Sequence, residues 1–266
     1  MHRRSFLLSA TLLAAARRAF AQGGAPRELI ADLVAGNRIL ATQAVLDAQG
    51  HISVRHPSRA DRFLLARSMP PASVTADDIL EYNLDADPID ARGRTSYRER
   101  FIHSEIYRAR PDVMSVVHNH SPSVVPFSCT GCEIRPIFHM AAFIGLGVPT
   151  WDIRDAQKGT DMLVKTPYLG EHLAKSLGKF PAVLMRGHGS TVVAENIQRA
   201  VGRTIYLEQN ARMQYQAMML AGRDGQVVYL DEDEVQANIS WQNYVRSWDL
   251  WKRRALAALE REKAAR

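Results

Sequence analysis

A β-branched apolar run at residues 113–118 predicts a buried strand, and Ser121-Pro122 ends it. A buried strand needs neighbouring strands in its sheet and helices that cover the sheet. Other short apolar segments alternate along the chain with segments of helical periodicity. No internal repeat or low-complexity linker interrupts this alternation. The sequence therefore predicts one α/β domain behind a short N-terminal segment.

The periodicity also locates the individual elements. Helices are predicted at 28–48, 96–108, 140–146, 161–177 and 196–220, with a last helix from 232, and strands at 51–56, 63–66, 113–118, 182–185 and 191–193. Thr75 followed by Asp78 has the pattern of a capping box and predicts a further helix start.

Residues 1–21 have the composition of an export signal. Arg3 and Arg4 precede an apolar stretch of about eleven residues, and Ala19-Phe20-Ala21 is similar to a cleavage site. The arginine pair followed by Ser5-Phe6-Leu7 resembles a twin-arginine signal. We therefore expect a periplasmic or otherwise exported protein, or a cytoplasmic one if the signal does not function. An amphipathic or disordered tail is the alternative interpretation.

The net charge of the chain depends on this segment. The full chain of 266 residues carries +6, but residues 1–21 contain four arginines and no acidic residue, so their removal leaves +2. This small charge gives no electrostatic reason to expect nucleic acid as a partner. The absence of an apolar run of about eighteen residues excludes a multi-pass membrane protein, and we expect no stable membrane insertion after cleavage.

Two cysteines, Cys129 and Cys132, have the Cys-x-x-Cys spacing. In an oxidising compartment they can pair, and in a redox enzyme this spacing can form a catalytic dithiol. A redox motif normally opens a helix, whereas this pair follows an apolar segment interpreted as a strand. We interpret it as a turn between strands that carries two incidental thiols.

One close histidine pair, His118 and His120, comes at the end of the predicted strand 113–118. Residues i and i+2 of a strand point to the same face, so both imidazoles can bind one metal ion. A third histidine, His188, lies between Gly187 and Gly189 at a predicted turn, where glycines allow a close backbone approach. Three imidazoles with an open fourth position are typical of catalytic zinc sites. The His-x-His spacing by itself also fits two ordinary surface histidines.

Glu99 and His103 are four residues apart on the predicted helix that precedes this strand. A carboxylate beside a metal site can bind the metal or carry a proton. The spacing alone favours the other interpretation, a solvated pair on the helix surface.

Residues 99–120 and the segment Arg186-Gly-His188-Gly resemble the class II aldolase/adducin family. The motifs have the order and spacing of that family, and the resemblance runs from about residue 28 to 221. It implies an α/β/α sandwich around a mainly antiparallel sheet, so that the domain covers 22–266 with a C-terminal helical extension at 222–266. It also implies a homotetramer with active sites between subunits.

The same resemblance assigns roles to individual residues. It implies a divalent metal ion held by His118, His120 and His188, with Zn²⁺ expected first and Fe²⁺, Mn²⁺ or Co²⁺ as alternatives. Glu99 matches the catalytic acid/base of the family. His139 stands where the sugar-phosphate aldolases have a proton-donating tyrosine, and we expect it to be a second acid/base or a polar contact.

The sequence departs from the sugar-phosphate aldolases at their phosphate-binding segments. The corresponding positions are Gly50-His51, 68–71 and Tyr97-Arg98, which have few of the donors that cradle a phosphate. We expect His51 to contact the substrate and Arg98 to pair with its carboxylate. A surface arginine is the alternative interpretation of Arg98.

Segments 138–143 and 151–155 resemble a branch of the family associated with decarboxylases of hydroxy-carboxymuconate semialdehydes or dihydroxyphthalates. This implies a metal-dependent lyase that acts on a small molecule by stabilising the enolate left when a carbon–carbon bond breaks. Three alternatives remain open at this point. They are an aldolase or epimerase acting on a small sugar or hydroxy acid, an adducin-like scaffold without chemistry, and an iron-dependent oxygenase.

Overall fold

A computed structural model of the chain describes residues 24–223 and 225–265. The predicted export signal, residues 1–21, lies outside the described residues. Within the described part, no helix combines the length and the apolar character needed to cross a membrane.

The described strands form one sheet. They are β1 His51–Arg55, β2 Arg62–Ala66, β3 Ile79–Asn83, β4 Ser115–Asn119, β5 Thr150–Trp151, β6 Ala182–Met185 and β7 Gly189–Ala194. Their order across the sheet is β3-β2-β1-β4-β7-β6-β5. The pairing of β5 with β6 is parallel and the other five pairings are antiparallel. The prediction of an α/β fold with a mainly antiparallel sheet is confirmed.

The helices are α1 Arg27–Thr42, α2 Phe101–Ala109, α3 Val125–Cys129, α4 Pro167–Leu177, α5 Ile197–Ala221, α6 Glu232–Ile239 and α7 Val245–Ala264. Short 3₁₀ turns occur at Pro71–Ser73, Ala76–Asp78, Arg98–Arg100, His139–Leu146 and Ile153–Asp155. The predicted C-terminal extension is helical, since α6 and α7 lie within residues 222–266.

The sheet separates two helical layers, and strand β1 shows this because its side chains alternate between the faces of the sheet. Ile52 faces α1 and α5, where Gly36 of α1 lies close to the Ile52 side chain. Ser53 faces α2 instead, through a 2.7 Å contact between its Oγ and the hydroxyl of Tyr107. Helix α4 packs against α2 on this side, and α7 packs against α1 on the other. The predicted α/β/α sandwich is therefore present.

Two element predictions near the site are corrected. The helix predicted at 96–108 begins at Phe101, and Glu99 lies in the preceding 3₁₀ turn with φ −91° and ψ 21°. Cys129 ends the short helix α3 and does not follow a strand. Both cysteines are free thiols.

Strand β3 was not predicted. The capping box of Thr75 and Asp78 forms, but it opens only a three-residue turn. The chain then enters β3, which pairs with β2 over five residues. Leu80 and Tyr82 become almost completely buried in this ladder, and burial outweighs the local helix-start signal.

Candidate metal centre

Four of the side chains predicted as site residues converge on one point. They are Glu99, His118, His120 and His188, and each places one donor atom within 4.8 Å of the donor atoms of the others. The Nε2 atom of His120 lies 3.2 Å from that of His118 and 3.0 Å from that of His188. Glu99 Oε2 lies 3.5 Å from His118 Nε2 and 3.6 Å from His188 Nε2.

These separations suit a metal ion. A tetrahedral zinc ion, with bonds of about 2.0–2.1 Å to nitrogen, holds its ligand atoms about 3.4 Å apart. A neutral imidazole has only one N–H, so the Nε2 of His120 can serve at most one of its two neighbours as a donor. Direct hydrogen bonds therefore satisfy at most one of these two short contacts at a time, whereas a cation between the nitrogens can be bound by all three of them. Three imidazole nitrogens and one carboxylate oxygen fit Zn²⁺ and also Fe²⁺, Mn²⁺ or Co²⁺.

The central strand of the sheet places the histidine pair. His118 is completely buried near the end of β4, and His120 follows the last residue of that strand. Asn119 Oδ1 accepts hydrogen bonds from the backbone N–H of Ser121 and from Ser190 Oγ, at 3.2 and 3.1 Å. These two bonds hold the strand end in place and thereby orient both imidazoles.

The turn between β6 and β7 brings His188 to this strand end. Gly187 has φ +64°, a conformation that favours glycine, and its N–H donates to Ser128 Oγ at 3.0 Å. A Cβ atom at Gly189 would lie 1.9 Å from the carbonyl oxygen of Asn119. The close backbone approach expected from the two glycines is therefore present. Any larger residue at 189 would push β7 away from β4.

Glu99 is buried and held in a defined orientation. Its Oε1 accepts a hydrogen bond of 2.9 Å from the backbone N–H of Val164, which leaves Oε2 to face the histidines. Burial raises the pKa of Glu99, but His118, His188 and the Val164 N–H together outweigh this effect and lower the pKa to about 2. The carboxylate is therefore ionised at neutral pH.

The alternative of a solvated Glu99–His103 pair is wrong, because the two residues are only 7% and 0% exposed. His103 lies on α2, and its ring nitrogens contact His51 and Ser53. Burial, with a further contribution from His118, lowers the pKa of His103 to about 3.

The histidines at the mouth of the centre are neutral as well. Burial and the neighbouring His118 lower the pKa of His120 and of His188 to about 4. A neutral imidazole is the form that binds metal. The protein thus prepares these two side chains as ligands at physiological pH.

His51 lies directly beside the cluster. It pairs with His118 across β1 and β4, and the centroids of the two rings are 5.3 Å apart. Its Nδ1 lies 2.6 Å from His103 Nε2, and Tyr97 packs against the ring at 4.5 Å.

Arg98 and His139 are not brought to the cluster within one chain. Both are exposed, and no contact in the described part of the chain joins either of them to the four converging residues. His139 instead lies 6.1 Å from the ring of Trp241, and its carbonyl oxygen accepts a hydrogen bond from Gln242.

Sequence reasoning missed several residues that support the site. The Val164 N–H and the Asn119 carbonyl are backbone groups, which have no signature in residue type. Ser128, Ser190 and Asn119 are polar residues next to apolar segments, and that position was the only available signal. Their partners come from elements 59 to 71 residues away along the chain.

Residues 31–215 match the family model described as the class II aldolase and adducin N-terminal domain. The chain belongs to this family. Among its relatives is decarboxylase tropJ of Talaromyces stipitatus, with 38% identity over 242 residues that cover 83% of this chain and 91% of that protein. Another is the 3,4-dihydroxyphthalate decarboxylase of Arthrobacter keyseri, with 31% identity over 70% of this chain and 77% of that protein.

The fold agrees with that of a solved structure. The L-fuculose 1-phosphate aldolase of Glaciozyma antarctica superposes with a TM-score of 0.72 over 88% of this chain and 90% of that one. At 23% identity this likeness concerns the fold alone. The decarboxylase relatives together with the class II aldolase fold support a lyase that acts on a small molecule.

Proposed function

We propose that this protein is a divalent-metal-dependent carbon–carbon lyase that decarboxylates a hydroxylated, carboxylated, aromatic-derived molecule. The convergence of three imidazole Nε2 atoms with the Glu99 carboxylate carries this proposal. The two decarboxylases at 38% and 31% identity support the reaction type and the class of substrate.

In this proposal His118, His120 and His188 hold the metal ion, with zinc as the first candidate. When bound, the ion is a Lewis acid that stabilises the negative charge left on the substrate when carbon dioxide departs. The inward-facing Nε2 atoms of the three histidines and the neutral state of His120 and His188 prepare the site for a cation before it arrives.

Glu99 moves the proton. Its pKa of about 2 keeps the carboxylate ionised before the substrate binds, so that it can accept the proton of a substrate hydroxyl. After carbon dioxide has left, Glu99 returns this proton to the carbon that lost the carboxylate. The product leaves with its oxygen ionised and takes a proton from solvent, so protons and charge balance.

Three further residues act on the substrate in this proposal. His51, beside His118, contacts an oxygen of the substrate. Arg98 adjoins Glu99 in the chain, has a free guanidinium within the described residues, and pairs with a substrate carboxylate. His139 is a second acid/base that reaches a cluster only from another subunit, which fits a homotetramer with active sites between subunits.

Elemental analysis and product analysis test the function together. The protein is purified, stripped by chelation, and reconstituted separately with Zn²⁺, Mn²⁺, Co²⁺ and anaerobically with Fe²⁺. Each form is then assayed for carbon dioxide release from 3,4-dihydroxyphthalate and related hydroxylated aromatic acids. We expect about one ion per chain and carbon dioxide release only from metal-loaded protein.

Other outcomes contradict this proposal in different ways. Aldehyde release from hydroxy acids or sugars without carbon dioxide would make the protein an aldolase. Oxygen consumption by the iron form alone would make it an oxygenase. Failure to take up any ion would favour a scaffold without chemistry.

A further inference from the structure

Behind the candidate metal centre, four buried side chains form a row of hydrogen-bond contacts, which we call the file. Its members in order are Tyr107, Ser53, His103 and His51. The hydroxyl of Tyr107 lies 2.7 Å from Ser53 Oγ, and Ser53 Oγ lies 2.6 Å from His103 Nδ1. His103 Nε2 lies 2.6 Å from His51 Nδ1. None of the four residues is more than 3% exposed.

Regular secondary structure aligns the file. His103 and Tyr107 are four residues apart on α2, and His51 and Ser53 are two apart on β1, so each pair lies on one face of its element. The two faces oppose each other. Each of the three contacts is therefore set by backbone geometry that does not depend on a flexible loop.

The tyrosine end fixes the direction of the hydrogen bonds. A phenol has one proton to donate, and within the described residues Ser53 Oγ is its only acceptor. The backbone N–H of Val116 also approaches the Tyr107 oxygen, but an N–H is a donor and cannot accept the proton. Tyr107 therefore donates to Ser53, because the opposite direction leaves a buried hydroxyl proton without a partner.

The direction of this hydrogen bond fixes the donor and the acceptor at each following contact of the file. Ser53 accepts from Tyr107, so its own single proton goes to His103 Nδ1. Two N–H groups cannot face each other across the 2.6 Å between His103 Nε2 and His51 Nδ1, so only one of these two nitrogens carries a proton. With Nδ1 of His103 used as an acceptor, its proton is on Nε2 and is donated to His51 Nδ1. The proton of His51 must then be on Nε2.

We propose that Tyr107, Ser53 and His103 are positioning residues that hold His51 in its neutral Nε2–H form, as a hydrogen-bond donor to an oxygen of the substrate beside His118. His51 Nε2 has no hydrogen-bond partner within the described chain, so this N–H is available to a ligand. The same assignment prevents His51 from acting as a fourth metal-binding histidine, because neither nitrogen has a free lone pair.

The Nε2–H of His51 restricts the type of substrate oxygen that the site can bind. A fixed N–H donor next to three imidazoles favours an anionic oxygen, such as a carboxylate or an ionised hydroxyl, and disfavours a group that can only donate. The role toward a substrate rests on the proposed function. The protonation pattern of the file does not, and it can be measured in metal-free protein.

Nitrogen NMR on metal-free protein labelled with ¹⁵N-histidine tests the pattern directly. Long-range proton–nitrogen spectra, assigned through bonds, show which ring nitrogen of each histidine carries the proton. We expect the proton on Nε2 and a bare Nδ1 for both His51 and His103. A proton on Nδ1 of either residue would overturn the proposal.

Two matched variants test what maintains the pattern. Tyr107→Phe removes the fixed donor, so Ser53 and both histidines can reverse, and we expect the second tautomer of His51 to become populated. Tyr82→Phe is the control, because Tyr82 is also completely buried and also donates to a serine, Ser96, at 2.9 Å. Tautomers that respond equally to both variants, or to neither, would show that the file does not set them.

Kinetics of the metal-loaded protein test the donor role. We expect Tyr107→Phe to lower kcat/KM about tenfold, and Tyr82→Phe to leave it near the original value. His51→Leu should lose at least as much as Tyr107→Phe. His51→Gln should recover most of the loss, because its amide nitrogen replaces the Nε2–H. Unchanged kcat/KM in His51→Leu would overturn the donor role even where decarboxylation itself is confirmed.

Discussion

At the candidate metal centre, burial and proximity prepare Glu99, His120 and His188 in their metal-binding forms. Burial, with His118 as a further cause, lowers the pKa of His120 and His188 to about 4. Glu99 is ionised, and the Val164 N–H holds one of its oxygens, which leaves the other for the centre. These three side chains therefore need to release few protons when a cation binds. The residues of the site have separate roles, which single substitutions can test.

His118→Ala should abolish metal binding, because His118 is a fully buried member of the cluster and has both His120 Nε2 and Glu99 Oε2 near its Nε2. We expect affinity to fall by more than about 100-fold, which exceeds the usual effect of losing a partner outside the ligand shell. Elemental analysis after dialysis measures the loss. His172→Ala is the matched control, since His172 contacts Trp151 and lies outside the cluster. Full metal content in His118→Ala would contradict the assignment.

Glu99→Gln should keep the metal and lose turnover. The amide can still accept from the Val164 N–H, but it cannot carry a proton. We expect kcat to fall by about 10²- to 10⁴-fold, the usual contribution of a general acid/base. Metal content and steady-state kinetics are measured on the same preparation. Turnover within about threefold of the original protein would remove Glu99 from the proton-transfer role.

At the scale of the elements, the site depends on close contact between the end of β4 and the start of β7. Asn119 accepts from Ser190 across this junction, and the Gly187 N–H is tied to Ser128 of α3. Each histidine is therefore oriented by a strand or by a tight turn anchored to one. Glu99 alone comes from a 3₁₀ turn, at the point where the chain enters α2.

Gly189→Ala should damage both stability and metal binding. The added Cβ would lie 1.9 Å from the Asn119 carbonyl, so β7 must move away from β4. We expect a loss of about 1–3 kcal/mol in the free energy of unfolding, measured in urea, and weaker metal binding. Gly131→Ala is the control, because a Cβ there would meet no atom within 4 Å. Equal stability of the two variants would show that the junction tolerates a wider separation.

At the scale of the whole molecule, the buried histidines link folding to pH. His103 has a pKa of about 3 in the folded protein, against 6.5 for an exposed histidine. Below about pH 6.5 the unfolded chain therefore binds a proton that the folded chain refuses. A base whose pKa is depressed by folding costs stability as the pH falls, so the metal-free protein should become less stable from pH 6.5 downward.

Urea unfolding of metal-free protein at pH 7, 6 and 5 measures this linkage. One buried histidine contributes up to about 1.4 kcal/mol per pH unit once the pH is below 6.5. We expect the free energy of unfolding of His103→Asn to fall less steeply as the pH is lowered. Its slope should be smaller by an amount that corresponds to at most one proton. The same pH dependence in both proteins would exclude His103 as a source of the linkage.

The predicted export signal is tested on the whole chain. The twin-arginine pathway carries folded proteins, so that a metal ion could bind before transit. We expect Arg3→Lys together with Arg4→Lys to retain the protein in the cytoplasm, because the pathway reads arginine specifically. Fractionation of cells that express each form measures the effect. Arg17→Lys with Arg18→Lys is the control for charge-preserving changes near the cleavage site. Equal export of the two double variants would contradict a twin-arginine signal.

The family resemblance supplied the expectation of a mainly antiparallel sheet, whereas the sequence by itself determined the α/β class and the three histidines of the candidate metal centre. These follow from local features: periodicity specifies faces of elements, and the His-x-His spacing and the flanking glycines carry their own geometry. The resemblance of residues 99–120 to a known family added Glu99, whose helical spacing alone favoured a solvent-exposed position.

Only the tertiary structure decided which partners these residues meet. Strand β3 formed against a local helix-start signal, because the ladder with β2 buries Leu80 and Tyr82. The His51–His103–Ser53–Tyr107 file likewise depends on the face that α2 presents to β1, and contacts between residues about 50 positions apart have no local signature. Burial then set the protonation states, since the free energy of a charge depends on its surroundings in the folded chain and not on its neighbours in sequence.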